Sequence, residues 1–217
     1  MAYVYGRQHR NKDIAQVFAD IYRTAGFKGQ ESLSGPGSDL DQTELLRRRI
    51  PELADEHKIQ TILDAPCGDF LWMRLISDHF EHYTGADIVP ALVASNQERY
   101  GSPRIKFLHA DITKDDLPRV DLILCRDCLV HLPYAAINEA ILNFKRSGAK
   151  FLLATTYPLT TKHVDIIAGL WRPLNLEQTP FNFPPPIAAI QEEPTEAGGL
   201  YHDKTLGLWR VAQLPEA

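Results

Sequence analysis

The strongest constraint on the fold is a regular alternation of short apolar runs and longer helical stretches across the middle of the chain. The apolar runs cover residues 61–63, 82–86, 104–109, 121–125 and 150–156, and the stretches of helical pattern cover 70–77, 90–100 and 133–146. Alternation of this kind predicts βαβ units and a parallel sheet buried on both faces. The predicted fold class is therefore α/β, with a doubly wound and mainly parallel sheet.

The segment before this core has a different pattern. Residues 13–25 carry apolar side chains at helical spacing behind a candidate N-cap, Asp13. A second helix is expected from about residue 39 or 41 to residue 57, with a break or kink at Pro51. Between the two helices, residues 27–38 are rich in glycine and serine, which predicts a loop.

The segment after the core is also distinct. Many prolines between residues 157 and 186 predict an irregular segment, whereas 187–190 and 206–211 predict a closing antiparallel pair of strands. We expect one domain overall. Within it, residues 1–58 form an N-terminal helical arm with a glycine-serine lid loop, and residues 59–217 form the core, with an acceptor-facing segment at 157–186.

A tight turn follows the first predicted strand. It reads Asp64-Ala-Pro-Cys-Gly68-Asp69, and a helix is expected to begin at once. Gly68 has no Cβ, so a ligand can approach its backbone closely, and a helix start offers free N–H groups. Asp87 ends the next strand, and an acid about 20 residues beyond a glycine turn can bind both hydroxyls of a ribose. The sequence therefore predicts a nucleoside site.

The residues of the turn indicate which nucleoside it takes. Nicotinamide enzymes use G-x-G-x-x-G because a pyrophosphate sits on the glycines, but this turn has one glycine and two acids. Carboxylates at that position would repel a pyrophosphate and suit a cofactor with a cationic amino-acid tail. S-adenosylmethionine (SAM) has such a tail.

Residues 60–156 resemble the SAM-binding core of class I methyltransferases. Asp64–Phe70 lies where that family has its acid-x-G-x-G-x-G motif, with Pro66 and Phe70 in place of the first and third glycines. The resemblance implies that Asp87 binds the ribose, that Asp111 lies beside the adenine, and that DLILCRDCLVHLP (121–133) meets the methionine end and the acceptor. The cofactor-binding residues it implies are Asp64, Ala65, Pro66, Gly68, Asp87, Ile88, Asp111, Ile112, Arg126 and Asp127.

Each acid also has a structural alternative. Asp64 can cap a helix, Asp87 can be a residue of a strand-end turn, and Asp111 can cap a turn in the polar segment that follows it. A SAM-binding module without catalysis and a nicotinamide-dependent oxidoreductase are the alternative functions. The second predicts a G-x-G-x-x-G and a Tyr-x-x-x-Lys pair that the sequence lacks.

Two residues after the fourth predicted strand are candidates for catalysis. A hydroxyl acceptor must lose its proton to a base or with help from a metal. His131 is the candidate general base because its pKa lies near working pH; the alternative is a supporting histidine. Asp127 can hold the SAM amino group, orient His131 or help to bind Mg²⁺. The sequence predicts no dedicated metal cluster, and Mg²⁺ stays open on Asp127 alone.

The acceptor is expected to meet the proline-rich segment and residues 29–39, which we call the arm. The arm is rich in glycine and serine and is expected to form a lid over SAM; the alternative is an ordinary surface loop. The candidate wall of the acceptor site comprises Tyr157, His163, Trp171, Arg172, Asn175, Phe181 and Phe183. The whole chain is similar to small bacterial methyltransferases of glycan biosynthesis, which implies O-methylation of a sugar or another small molecule. No Asn/Asp-Pro-Pro-Tyr/Phe motif follows the fourth strand, which argues against amino-group methylation of adenine or glutamine.

Composition narrows the partners. The net charge of −5 and the absence of a basic face argue against a nucleic-acid partner. Cys125 and Cys128 lack the second pair that a zinc site needs, so small buried side chains are expected. No apolar stretch has the length of a signal peptide or of a membrane span. We therefore expect a cytoplasmic protein that takes a small-molecule or carbohydrate acceptor, and a homodimer stays open.

Overall fold

A computed structural model describes residues 12–216. Its strands form a seven-stranded sheet in the order β3-β2-β1-β4-β5-β7-β6. The strands are β1 Thr61–Asp64, β2 His82–Asp87, β3 Ile105–His109, β4 Leu122–Cys125, β5 Phe151–Thr156, β6 Ala188–Gln191 and β7 Thr205–Arg210. The α-helices are α1 Ile14–Arg23, α2 Glu44–His57, α3 Pro90–Tyr100 and α4 Tyr134–Arg146.

The sheet confirms the predicted fold class. Strands β1 to β5 pair in parallel, and β7 runs antiparallel to both β5 and β6. The strand order reverses between β1 and β4, which makes the carboxyl ends of β1, β2 and β4 the topological switch point of the sheet. Ligands of open α/β sheets bind in the crevice at such a point.

The two faces of the sheet bury two separate apolar cores, which explains the nearly continuous apolar strands. Along β4, Ile123 and Cys125 belong to the core that includes α4, whereas Leu122 and Leu124 belong to the core that includes α2. All four side chains are fully buried. Because successive side chains of a strand point to opposite faces, a strand covered on both sides must be apolar at every position.

Two predicted helices differ from the structure. The stretch 70–77 is not an α-helix: it contains 3₁₀ turns at Met73–Leu75 and Ser77–His79. Phe70 has a φ of +60°, which a helix cannot contain. The second helix begins at Glu44 rather than at residue 39 or 41, because the Asp39 carboxylate accepts the backbone N–H groups of residues 30–32 and organises the arm loop instead.

Two helix-start signals are confirmed, and one expected break does not occur. Asp13 caps α1 as predicted, and it also forms a capping box with Gln16. Pro51, where a break or kink was expected, lies inside α2, which is one continuous helix from Glu44 to His57. Pro90 begins α3 at the first helical position, where its missing N–H has no cost.

Candidate active site

A cleft of about 1210 Å³, including its open mouth, lies at the carboxyl ends of β1, β2 and β4. The arm and α1 cover it, with Ile14, Phe18 and Ile21 of α1 in its wall. Most of the sequence-predicted cofactor residues line this cleft. They are Asp64, Pro66, Gly68, Asp87, Ile88, Asp111, Ile112, Arg126 and Asp127. Ala65 differs: it is fully buried, and its N–H donates to the Leu124 carbonyl.

The glycine turn has a geometry that the motif alone did not specify. Gly68 and Phe70 have left-handed φ values of +53° and +60°. Phe70 therefore adopts, where the family has its third glycine, a conformation that is costly for a side chain. Its ring packs against Tyr83, Tyr100 and Phe107 at centroid distances of 4.8, 5.4 and 5.1 Å, and this burial offsets the cost.

The arm is the closest neighbour of Gly68. A Cβ added to Gly68 would lie 2.1 Å from Ser34 Oγ, so the glycine permits close approach of the arm. Asp69 then anchors the arm: its carboxylate accepts from the Ser32 hydroxyl at 3.0 Å and from the Leu33 N–H at 2.7 Å. Asp69 N–H donates to Ser34 Oγ at 3.0 Å. The second acid of the turn is therefore engaged by the arm.

Asp87 lies at the end of β2 directly beside the glycine turn. Its carboxylate accepts from the Gly68 N–H at 3.2 Å and from the Val89 N–H at 3.0 Å, one on each oxygen. Each carboxylate oxygen can accept more than one hydrogen bond. Burial raises the pKa of Asp87 to about 6 in spite of these bonds. The geometry leaves a carboxylate that can accept two hydroxyl groups from the cleft.

Asp64 and Asp111 have partners that bear on their structural alternatives. Asp64 accepts from the Tyr83 hydroxyl at 2.6 Å, and burial raises its pKa to about 7; no helix begins there for it to cap. Asp111 accepts from the N–H and hydroxyl of Thr113 at 2.9 and 2.7 Å, as a turn-capping residue does. Burial raises the pKa of Asp111, but the bonds from Thr113 and Lys114 outweigh it and hold the pKa below its usual range.

Four charged side chains meet at the other end of the cleft, and we call them the charge cluster: Arg126, Asp127, Glu192 and Lys204. Asp127 Oδ2 lies 2.6 Å from Lys204 Nζ and 3.3 Å from Arg126 Nη1. Arg126 Nη2 lies 2.6 Å from Glu192 Oε2 and donates to the Gly37 carbonyl at 2.7 Å. Burial would raise the pKa of Asp127, but the charges of Lys204 and Arg126 outweigh it and lower it to about 2.

The charge cluster changes the interpretation of two predictions. Arg126 lines the cleft, but its guanidinium binds Glu192 and the arm and lies 5.6 Å over the Trp72 ring. Asp127, the carboxylate considered for Mg²⁺, is ion-paired with Lys204. Residues 12–216 contain no group of three or more His, Cys, Asp or Glu side chains that could hold a metal. Cys125 and Cys128 are free thiols, buried and half-buried respectively.

His131 lies between the cleft and a second, adjoining pocket, and it lines both. Its Nδ1 lies 2.9 Å from the Leu170 carbonyl, so Nδ1 carries the proton and Nε2 carries the lone pair of the neutral ring. Burial lowers the pKa of His131. Arg172 holds this turn in place by donating to the carbonyls of Val130 and Leu132.

Four aromatic rings contribute to the lining of the second pocket. Its lining includes the rings of Phe27, Tyr157, Trp171 and Tyr201, together with Lys28, Lys204 and residues 34–38 of the arm. Phe27, Ser34, Ser38, Asp127 and His131 line both this pocket and the cleft. The second pocket therefore opens onto the cleft beside Asp127 and His131.

The structure corrects the predicted acceptor wall. Of its seven residues, Tyr157 and Trp171 line the second pocket. Arg172 is buried beneath the His131 turn, and the Asn175 amide donates to the Pro158 and Thr160 carbonyls. Phe181 and Phe183 pack in the interior, and Phe183 lies 5.3 Å from Trp209 between ring centroids. His163 is half-buried and stacks on Phe181 at 5.9 Å.

Sequence reasoning missed four residues of the site. Lys204 and Glu192 come from the C-terminal strand pair, Tyr83 holds Asp64, and the Asn96 amide donates to the Gly68 carbonyl at 2.8 Å. Tyr83 lies on a buried strand and Asn96 on an apolar helix face. Both could have been identified from the sequence as candidates for the site, because buried polar groups need partners. Lys204 and Glu192 carry no local motif.

The fold and the site define a Rossmann-like α/β protein with a cleft at the switch point of its sheet. Residues 62–148 match the family model described as "Methyltransferase domain". A probable S-adenosylmethionine-dependent methyltransferase of Mycolicibacterium smegmatis is 29% identical, over 78% of this chain and 69% of that protein. An uncharacterized methyltransferase of Mycobacterium tuberculosis is 31% identical over 34% of this chain and 38% of its own length.

Solved structures agree on the fold. The 1,6-didemethyltoxoflavin-N1-methyltransferase of Burkholderia thailandensis, with bound S-adenosylhomocysteine, has a TM-score of 0.61 at 17% identity, over 90% of this chain and 86% of that chain. The N-methyltransferase NodS of Bradyrhizobium japonicum has a TM-score of 0.55 at 17% identity, over 81% and 96%. The chain is similar in sequence to SAM-dependent methyltransferases, and its fold is that of a class I methyltransferase. Within residues 12–216, no helix is both long and apolar enough to cross a membrane.

Proposed function

We propose that this methyltransferase transfers the methyl group of SAM to a hydroxyl of a small molecule or sugar, with His131 as the general base. The observation that carries the proposal is the position of His131 at the junction of the two pockets with its lone pair on Nε2. The acceptor oxygen attacks the methyl carbon, the carbon–sulfur bond breaks, and S-adenosylhomocysteine (SAH) leaves. The hydroxyl proton passes to Nε2.

The proposal includes one orientation of SAM in the cleft. The adenine lies toward Asp111 and Ile112, the two ribose hydroxyls donate to Asp87, and the methionine ammonium lies at Asp127. This orientation directs the methyl group toward the second pocket, where the acceptor binds. Because the sulfonium is already a good leaving group, the main contribution of the protein is to align the acceptor oxygen with the methyl carbon.

The arm acts as a lid over the cofactor. Asp69 and Arg126 anchor it at Leu33 and Gly37, on either side of Ser34. Its residues form walls of both pockets, so its closure shapes the acceptor pocket as well as covering the cofactor. A closed arm also excludes water from the reacting groups.

The walls of the acceptor pocket favour a ring. Trp171 and Tyr201 meet at 4.6 Å between centroids, and Tyr157 lies within 6.0 Å of both. Aromatic faces stack on planar rings and on the apolar faces of sugars. The Asn175 amide and the Arg172 guanidinium of the predicted wall bind backbone carbonyls inside the protein. The support for a carbohydrate acceptor therefore rests on these rings and on the resemblance to glycan methyltransferases.

The test combines an acceptor screen with one substitution. Radiolabelled SAM is incubated with phenols, hydroxylated heteroaromatics, methyl glycosides and primary amines. With the best hydroxyl acceptor, His131→Gln is expected to lower kcat by roughly 10²–10⁴-fold, while SAH affinity measured by calorimetry stays within about threefold. His82→Gln is the matched control, because His82 is exposed and begins β2, at the end of the strand away from the cleft.

The pH profile separates a base from a support. At saturating SAM, kcat of the wild type should fall as His131 becomes protonated, with a midpoint below the ordinary histidine value because burial lowers its pKa. His131→Gln should lose this acid limb. Exclusive methylation of amines, or an unchanged kcat in His131→Gln, would contradict the proposal. SAH binding without methylation of any acceptor would favour a non-catalytic SAM-binding module.

A further inference from the structure

We propose that Lys204 is a positioning residue for the cofactor: its ammonium keeps the Asp127 carboxylate charged and holds it in place at the methionine end of the cleft. This inference rests on the proposed orientation of SAM and concerns a residue that neither the methyltransferase motifs nor the matched domain, residues 62–148, includes.

Lys204 reaches Asp127 from a distant part of the chain. It directly precedes β7, and its side chain is 4% exposed. Its Nζ lies 2.6 Å from Asp127 Oδ2 and 3.4 Å from Glu192 Oε2. A lysine buried to this extent is stable only with a carboxylate beside it. Two carboxylates and two cations balance the cluster, which explains how four ionised groups can lie together away from bulk water.

The contacts of Asp127 differ between its two oxygens. Oδ2 carries both cationic contacts, whereas Oδ1 lies 3.5 Å from the Thr155 hydroxyl. The backbone is fixed as well: Asp127 has a φ of +50°, and its N–H donates to Thr155 Oγ1 at 2.8 Å. With Oδ2 held by Lys204, Oδ1 is the oxygen available to the ammonium of the cofactor. The side chain is 25% exposed, and it lines both pockets.

Removing Lys204 would leave Asp127 among fewer favourable charges. The charged and titratable groups that remain around it are Arg126 at the end of β4, Glu192 after β6 and His131 on its 3₁₀ turn, with Asp64 acting through Arg126. Glu192 and Asp127 would then share one arginine in a buried place, and like charges disfavour ionisation. Burial would therefore raise the pKa of Asp127, and its charge would be lost toward acid pH.

The test is the pH dependence of SAH affinity in Lys204→Met relative to the wild type, measured by calorimetry at pH 7.5 and pH 5. At pH 7.5 the dissociation constant of Lys204→Met divided by that of the wild type should stay within about threefold, because the lost orientation is offset by the loss of a positive charge beside the ammonium group of SAH. At pH 5 the ratio should rise to about tenfold or more. Other groups of the cleft titrate in both proteins and cancel in the ratio.

Two further variants separate positioning from a structural role. Lys204→Arg keeps the charge and should show no rise in the ratio at pH 5. Lys145→Met removes an ion-paired lysine that contacts Glu216, far from the cleft, and should leave both dissociation constants unchanged. A Lys204→Met ratio that is equal at the two pH values would overturn the proposal.

The double variant keeps the proposal testable if Lys204→Met does not fold. Asp127→Asn with Lys204→Met leaves Arg126 paired with Glu192, so the buried charge stays balanced. If Lys204 acts through Asp127, the double variant should bind SAH within about twofold of Asp127→Asn at both pH values. A further loss at pH 5 in this background would overturn the proposal. Asp127→Asn that binds SAH as the wild type does would instead refute the cofactor role of Asp127 itself.

Discussion

Two carboxylates of one cleft, the buried Asp87 and the half-buried Asp127, are held in opposite ways. Asp87 ends β2 and accepts backbone N–H groups, and burial raises its pKa to about 6. Asp127 follows β4 and is held by Lys204 and Arg126, which lower its pKa to about 2 against the effect of burial. Neutral N–H dipoles orient a carboxylate, whereas full charges also keep it ionised. The orienting dipoles suit the uncharged hydroxyl groups of a ribose, and the charged surroundings suit an ammonium group.

The largest effect on cofactor binding is expected at the ribose end. Asp87→Asn should weaken SAH binding by roughly 100-fold, because two hydrogen bonds to a charged acceptor are each worth about 1.5–3 kcal/mol. Isothermal titration calorimetry measures this directly. Asp111→Asn is the matched control. Because the Asp111 carboxylate already accepts two hydrogen bonds from Thr113, this substitution should weaken SAH binding by only about threefold. Equal losses in the two variants would contradict the assignment of the ribose to Asp87.

A smaller effect is expected from pH. Between pH 7.5 and pH 5, SAH affinity of the wild type should fall by about tenfold, because an acid with a pKa of about 6 is only about one-tenth ionised at pH 5. Asp127 stays ionised over this range. Asp87→Asn should therefore bind weakly but with little pH dependence. An acid limb that persists unchanged in Asp87→Asn would show that another group controls it.

The smallest effect concerns stability. The pKa of Asp64 is raised from 3.8 to about 7 in the folded protein, so its charge costs stability; the cost grows between these values and is complete above pH 7. In the absence of cofactor, Asp64→Asn should raise the melting temperature at pH 8 by a few degrees, roughly what 1 kcal/mol gives in a chain of this size. The gain should vanish at pH 4. Asp41→Asn, an exposed acid, is the control, and a lower melting temperature at pH 8 would contradict the account.

The strands and the ribose-binding candidate were predictable from the sequence, whereas the charges around Asp127 were not. The strands and Asp87 follow local rules: apolar runs form buried strands, and strand ends meet at one edge of the sheet. The helix predicted from Phe70 was wrong because a tertiary aromatic cluster sets its φ. Lys204 lies 77 residues from Asp127, and Glu192 lies 66 residues from Arg126. No periodicity or local motif encodes such contacts, so the charge that holds Asp127 became apparent only in the fold.

The most direct test of the central claim is a crystal structure of the protein with SAH. The account predicts that both ribose hydroxyls lie within hydrogen-bond distance of the Asp87 carboxylate and that the methionine ammonium contacts Asp127 while Lys204 remains on its other oxygen. The sulfur should face the second pocket beside His131. A nucleoside bound in the reverse direction, or outside this cleft, would contradict the account.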